Sequence, residues 1–117
     1  MATNEYWAKR IILAYAELRQ SSEQVFVSYG EMAELIGRKG EHRLLGAPLD
    51  LVRAICEQAN LPDVATVVVD QKSLRSGEMK PSPKAMDKHS GWPGLRSEQG
   101  RVLAYNWSAV ETENVIA

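Results

Sequence analysis

An α/β winged helix-turn-helix is the fold this sequence predicts, and three features of residues 27–70 predict it. A short helical stretch opens at Ser28 and stops at Gly37. A basic turn, Arg38–Lys39–Gly40, follows, and a longer helical pattern then leads into the β-branched run Val64–Val69. Short helix, turn, longer helix, strand is the order of a helix-turn-helix followed by a wing.

Each element has a local cause. Thr3 or Asn4 can cap a first helix over Glu5–Arg19. Trp7, Ile11, Ala14, Tyr15 and Leu18 recur at helical spacing on its inner face, with Lys9, Arg10, Glu17 and Arg19 on its wet side. Gln20–Gln24 is a polar linker, and Val25–Val27 is a short β segment suited to pairing with Val64–Val69. Ser28 and Glu31 stand in capping-box spacing. Met32, Ala33, Leu35 and Ile36 give the second helix an apolar face, and Gly37 takes the left-handed position that ends it. Pro48 lacks an amide and would clash inside a regular helix, so the next helix is expected as a short piece, Glu41–Gly46, with a kink or restart at Pro48. Leu49, Val52, Ile55, Cys56 and Ala59 continue at helical spacing until Asn60, Leu61 and Pro62 stop it. Val64–Val69 reads as a buried strand.

Past Asp70, Gln71–Lys80 is expected as a flexible wing. Pro81–Gly94, with three prolines and two glycines, is expected as a loop. From Gln71 to Lys88 five basic residues stand against two acidic, three net positive. Leu95–Tyr105 is expected as a last helix with Leu95, Val102 and Leu103 inward, weakened by Gly100. Trp107 docks the chain end, and Ser108–Ala117 is expected to be partly disordered. Residues 1–80 thus form a winged-helix domain, and 81–117 a loop, helix and tail packing on it.

The 117 residues suffice for one core and no more. The net charge of -1 excludes a uniformly basic nucleic-acid protein while leaving room for a basic face. A single cysteine forms no internal disulfide and points to a reducing, cytoplasmic setting. No apolar run approaches the roughly 20 residues of a membrane helix, and no secretory signal is expected.

The ordered motifs Ser28-Tyr29-Gly30-x-x-Ala33 and Arg43-Leu44-Leu45-Gly46, preceded by the helix around Trp7–Leu18, resemble the C-terminal DNA-binding domain of the O-alkylguanine DNA alkyltransferases and their alkyltransferase-like relatives. The likeness covers roughly residues 6–77. It implies a DNA-binding domain in which Arg43 fills the stack left by a flipped base and Tyr29 presses on the phosphate of the rotated nucleotide. The family's reactive Pro-Cys-His-Arg-Val-Val is absent: Val64-Ala65-Thr66-Val67-Val68-Val69 stands in its place. The segment between Gly46 and Pro62 is also longer than the family's. Alkyl transfer needs a thiolate activated by a base, so no catalysis is expected.

Candidate DNA contacts are therefore Tyr29, Arg38, Lys39, His42, Arg43, Lys72, Arg75 and Lys80. The basic residues of the turn and wing would hold phosphates, which supply affinity without sequence information. Each has a plainer reading, as a solvated cation or, for Tyr29, a packing aromatic. Cys56 reads as a small buried apolar residue. His42 and His89 with one cysteine make no zinc spacing, so no metal or cofactor is expected. Asp50, Glu57, Asp63 and Asp70 read as surface or capping residues. Double-stranded DNA is the expected partner. The alternative is a protein-interaction module on a degenerate winged-helix scaffold, using the loop and tail with Trp92 and Trp107.

Overall fold

The computed structural model describes residues 3–109. It contains six α-helices among the described residues: α1 (Asn4–Ser21), α2 (Tyr29–Leu35), α3 (Gly46–Gln58), α4 (Gln71–Ser76), α5 (Pro83–Lys88) and α6 (Trp92–Ala104). Two two-residue strands, β1 (Val27–Ser28) and β2 (Val68–Val69), pair in parallel with Val27 opposite Val68 and Ser28 opposite Val69. The architecture is mostly helical, with this small parallel pair making it α/β in outline.

The first helix forms where its cap predicts. The Thr3 hydroxyl accepts from the Tyr6 amide at 3.1 Å. Its buried stripe is wider than expected: Ala8, Ile12 and Ala16 join Ile11, Ala14 and Tyr15 in the core, while Trp7 and Leu18 are only half-buried. This stripe packs against α3, whose Leu49, Val52 and Cys56 face it. Arg19, expected in water, reaches the carbonyls of Gln24 at 3.0 Å and Leu103 at 3.3 Å. It therefore ties the end of α1 to both flanking segments.

The Ser28 hydroxyl caps α2 by accepting from the Glu31 amide at 3.1 Å. The other half of the capping box is replaced, because Glu31 accepts from Gln24 Nε2 at 2.8 Å instead of reaching back to Ser28. Gly37, at φ +81, ends the helix, and the Arg38 amide returns to the Ala33 carbonyl at 2.7 Å. That closes a Schellman turn. Residues His42–Leu45 then form a 3₁₀ turn and α3 restarts at Gly46. Pro48 falls in the first turn of α3, where a missing amide costs nothing.

Two expectations are overturned after α3. Val64–Val69 is buried throughout, but Val64–Val67 is a 3₁₀ turn and only Val68–Val69 is strand. Asp63 is the cause. Its Oδ1 accepts from the Ala65 amide at 3.0 Å, and its carbonyl accepts the Thr66 hydroxyl at 2.7 Å, which curls the backbone. The wing expected at Gln71–Lys80 is instead the helix α4, capped by Asp70 through the Ser73 amide at 2.8 Å and closed by Gly77 at φ +81.

The proline-rich stretch is also helical rather than a loop. Pro83 and Pro93 stand in the first turns of α5 and α6, where proline's fixed φ favours a helix start. In α6 the inward residues are Leu95, Glu98, Gln99 and Val102, whereas Leu103 is 56% exposed. Glu98 and Gln99 can face inward because their polar atoms are bonded: Gln99 Nε2 donates to the Thr66 carbonyl at 2.9 Å and the Met79 carbonyl at 3.0 Å. Trp107 docks as expected. Its indole donates to the Val102 carbonyl at 2.9 Å, and its ring meets Tyr15 edge-on at 5.2 Å. Residues 110–117 of the tail expected to be disordered lie outside the described residues.

The two glycines inside α6 should respond oppositely to alanine. A Cβ on Gly94 would lie 1.7 Å from the His89 carbonyl oxygen, whereas one on the exposed Gly100 meets nothing within 4 Å. Gly94→Ala should cost about 2–3 kcal/mol by overpacking against backbone. Gly100→Ala should add about 0.5–1 kcal/mol through helix propensity. Urea denaturation of the two variants measures both signs.

Candidate nucleic-acid interface

Tyr29 opens α2, and the 3₁₀ turn presents His42 and Arg43 to solvent. These three residues line one groove of about 760 Å³, formed with Gly46, Leu49 and Asp50 of α3 and with Pro83 and Lys84 of α5. The sequence motifs therefore converge in space even though the segments that carry them are separated. Lys84, absent from the sequence-derived set, closes the far side by an ion pair with Asp50 at 2.9 Å. Its lysine is 72% exposed, so the pair adds little stability.

The electrostatics of the groove are mixed. Burial raises the Tyr29 phenol above its ordinary value, and the carboxylates of Asp70 and Asp50 raise it further. Tyr29 therefore stays neutral and able to donate a hydrogen bond. The nearby carboxylates also repel an anion that would approach it.

The remaining candidates do not join this groove. Arg38 sits over Trp7, its Cζ 4.5 Å from the ring centroid, with a 3.7 Å contact to Glu41. That cation–π seat holds it against α1 rather than free in the turn. Lys39 is exposed in the turn. Lys72 and Arg75 are exposed on α4, and Lys80 follows that helix with its amide bonded to Ser73 Oγ at 2.7 Å. Because the expected wing is largely a helix, Lys72 and Arg75 sit on a different element from the one assumed for them, and Lys80 lies in the segment after it.

A second cluster escaped the sequence reading. His89 Nε2 lies 2.7 Å from Asp63 Oδ2, and Asp63 is almost fully buried. Burial pushes the Asp63 carboxyl above its usual range, and the hydrogen bonds from His89 and the Ala65 amide pull it back. Glu98 joins the cluster by accepting the Asp63 amide at 2.7 Å. A lone histidine after a proline-rich segment and a carboxylate 26 residues earlier give no spacing signal, so only the fold reveals the pair. The expectation that Asp63 is a surface or capping residue is half right: it caps the Val64–Val67 turn, but from inside the protein.

Cys56 is buried and its thiol is pushed up to about 12, chiefly by burial. Among the described residues no group of three or more His, Cys, Asp or Glu could hold a metal ion. Among the same residues no helix is long and apolar enough to cross a membrane. Comparison with family models, with curated proteins and with solved structures finds no match.

The Cys56 thiol has a signed consequence for pH. The folded chain keeps its proton up to about 12, while an unfolded thiol releases it near 9.0. Between those values the unfolded state binds fewer protons, so stability must fall as pH rises. Urea midpoints should therefore decline between about pH 8 and pH 10, and Cys56→Ala should flatten that decline. A slope identical in the two proteins would show that other groups carry it.

Proposed function

We propose that the chain is a non-catalytic, duplex-DNA-binding protein that engages its target through the groove between the start of α3 and α5. The observation that carries this reading is the convergence of Tyr29, His42 and Arg43 on that groove. Arg43, exposed at the tip of the 3₁₀ turn, is suited to enter a base stack, and Tyr29 to meet the displaced backbone. A base flipper needs such a plug, because unstacking costs a few kcal/mol. Lys39, exposed in the turn after α2 and outside the groove, is suited to a phosphate contact of the sequence-independent kind. On this reading α2 and α3 take the parts of the two helices, while the residues expected as a wing form the helix α4 instead.

A second reading, a protein-interaction module, draws on two observations. Asp50 and Asp70 flank Tyr29, and Leu44 beside Arg43 is 51% exposed. Those features also suit an apolar, weakly charged partner. Trp107 cannot contribute as first expected, being buried in the core, whereas Trp92 remains 38% exposed.

Fluorescence anisotropy with a short duplex, plain or carrying one O-alkylguanine, separates the readings. Binding should weaken steeply with salt, and Arg43→Ala should lower affinity about five- to tenfold. Tighter binding to the lesion duplex, lost in Arg43→Ala, would make the groove a lesion sensor. No binding to either duplex at low salt would overturn the DNA reading in favour of a protein partner.

A further inference from the structure

On the other side of α5 lies a second cavity, of about 430 Å³, between the C-terminal half of α3, the end of α5 and α6. Its wall carries Arg53, Lys88, His89 and Arg101 together with Asp63, Glu98 and the rim residue Glu57. Formal charges of the arginines, lysine and carboxylates balance, so net charge alone does not identify a ligand. Hydrogen-bonding capacity does.

The two inner carboxylates are already occupied. Asp63 accepts from Ala65 and His89 through separate oxygens. Glu98 accepts the Asp63 amide through Oε2 and Arg101 Nη1 through both oxygens, at 2.8 and 3.1 Å. The cations are not occupied. Lys88 gives one hydrogen to the Asp50 carbonyl at 2.8 Å, from the three an ammonium carries. Among the described residues Arg101 uses only Nη1, and Arg53 uses only Nη1, toward Glu57 at 3.1 Å. The Nε of Arg53 is buried without a partner. His89 spends one ring nitrogen on Asp63, and its Nδ1, without a partner among the described residues, donates only in the imidazolium form.

The unspent capacity of this cavity is thus mostly donor: Arg101 (62% exposed) and Lys88 present theirs from the solvent side, and the Arg53 Nε is the buried donor left unpaired. The one carboxylate that competes for Arg53 is Glu57, which is 72% exposed and can swing to water. A ligand that satisfies several N–H groups from different directions must carry several acceptor oxygens on one centre. Arginine forks and a lysine are the usual partners of such groups.

We propose that this cavity binds a small phosphate-class oxyanion through Arg53, Lys88, His89 and Arg101. The site is independent of the duplex reading, since it shares no lining residue with the first groove. The phosphate comes either free or on a nucleotide.

Titration of the full chain with inorganic phosphate and with a nucleoside monophosphate, followed by ¹H–¹⁵N NMR of the Arg53 Nε–H and His89 ring signals, tests it. Saturable shifts of both signals are expected, with affinity reduced at least about tenfold in the double variant Arg53→Gln/Arg101→Gln. Saturation by inorganic phosphate assigns the site to the free ion, and a need for the monophosphate assigns it to the nucleotide. If the double variant does not fold, Lys88→Gln, at an exposed position, should weaken binding at least about threefold. Absence of shifts at tens of millimolar of either ligand, on the order of the weakest specific sites, would overturn the proposal. So would unchanged affinity in the variants, or shifts produced only by a duplex lacking terminal phosphates.

Discussion

Tyr15 is the contact on which the rest of the fold leans. It is fully buried where α1 crosses the core, its hydroxyl donates to the Val25 carbonyl at 2.7 Å, and its ring meets Trp107 edge-on. One side chain thus joins the first helix, the segment entering β1 and the chain's last described turn. The carbonyl of Val25 would otherwise lose its partner at the edge of an apolar core, at a cost comparable to a lost hydrogen bond. With Val25 fixed, Val27 and Ser28 are placed to pair with Val68 and Val69, and Ser28 is in position to cap α2. The groove residues Tyr29, His42 and Arg43 follow from that capped helix and the turn after it.

What the sequence revealed, and what it hid, separates by the range of the cause. The start of α1, the stop at Gly37 and the stop at Asn60 all depend on residues within one helical turn and stand where the local chemistry puts them, whereas the restart expected at Pro48 comes at Gly46, because Pro48 fits within the first turn of α3. The pairing of the two segments was also legible from their valines, although the strand expected at Val25–Val27 falls at Val27–Ser28 and its partner is only Val68–Val69. Burial of Val64–Val69 was correct while its backbone was not. A β-branched run indicates a dry environment and leaves open whether an aspartate just before it captures the first amides. The missed helices α4 and α5 carried their own signals, Asp70 with Gly77 and Ser82 with Pro83. For α5 the signal was outweighed by a density of proline and glycine that also serves helix ends; for α4, in a stretch with one glycine and no proline, it was outweighed by the wing expected after a helix-turn-helix.

The second cluster was hidden for a different reason. Asp63, His89 and Glu98 are far apart in the chain and polar, so each alone suggests a solvated surface. They can be buried because each has its partners, and those partners come from the loop after α3, the end of α5 and the inner face of α6. Gly94 makes the arrangement possible by letting α6 come against the His89 carbonyl without a side chain between them. A polar network assembled from three remote segments leaves no spacing for a sequence pattern to find.

The helix α5 has only six residues and therefore cannot persist by its own backbone bonds. Lys84 and Lys88 both fasten it to Asp50, and His89 fastens its end to Asp63. It walls both cavities, contributing Pro83 and Lys84 to one and Lys88 to the other. Its detachment is a local opening of the kind that needs far less free energy than global unfolding, and it would dissolve both recesses in a single event. Whatever fills either recess holds that clasp shut and thereby raises the population in which the other exists, a linkage through shared local order rather than through any relay of contacts between them.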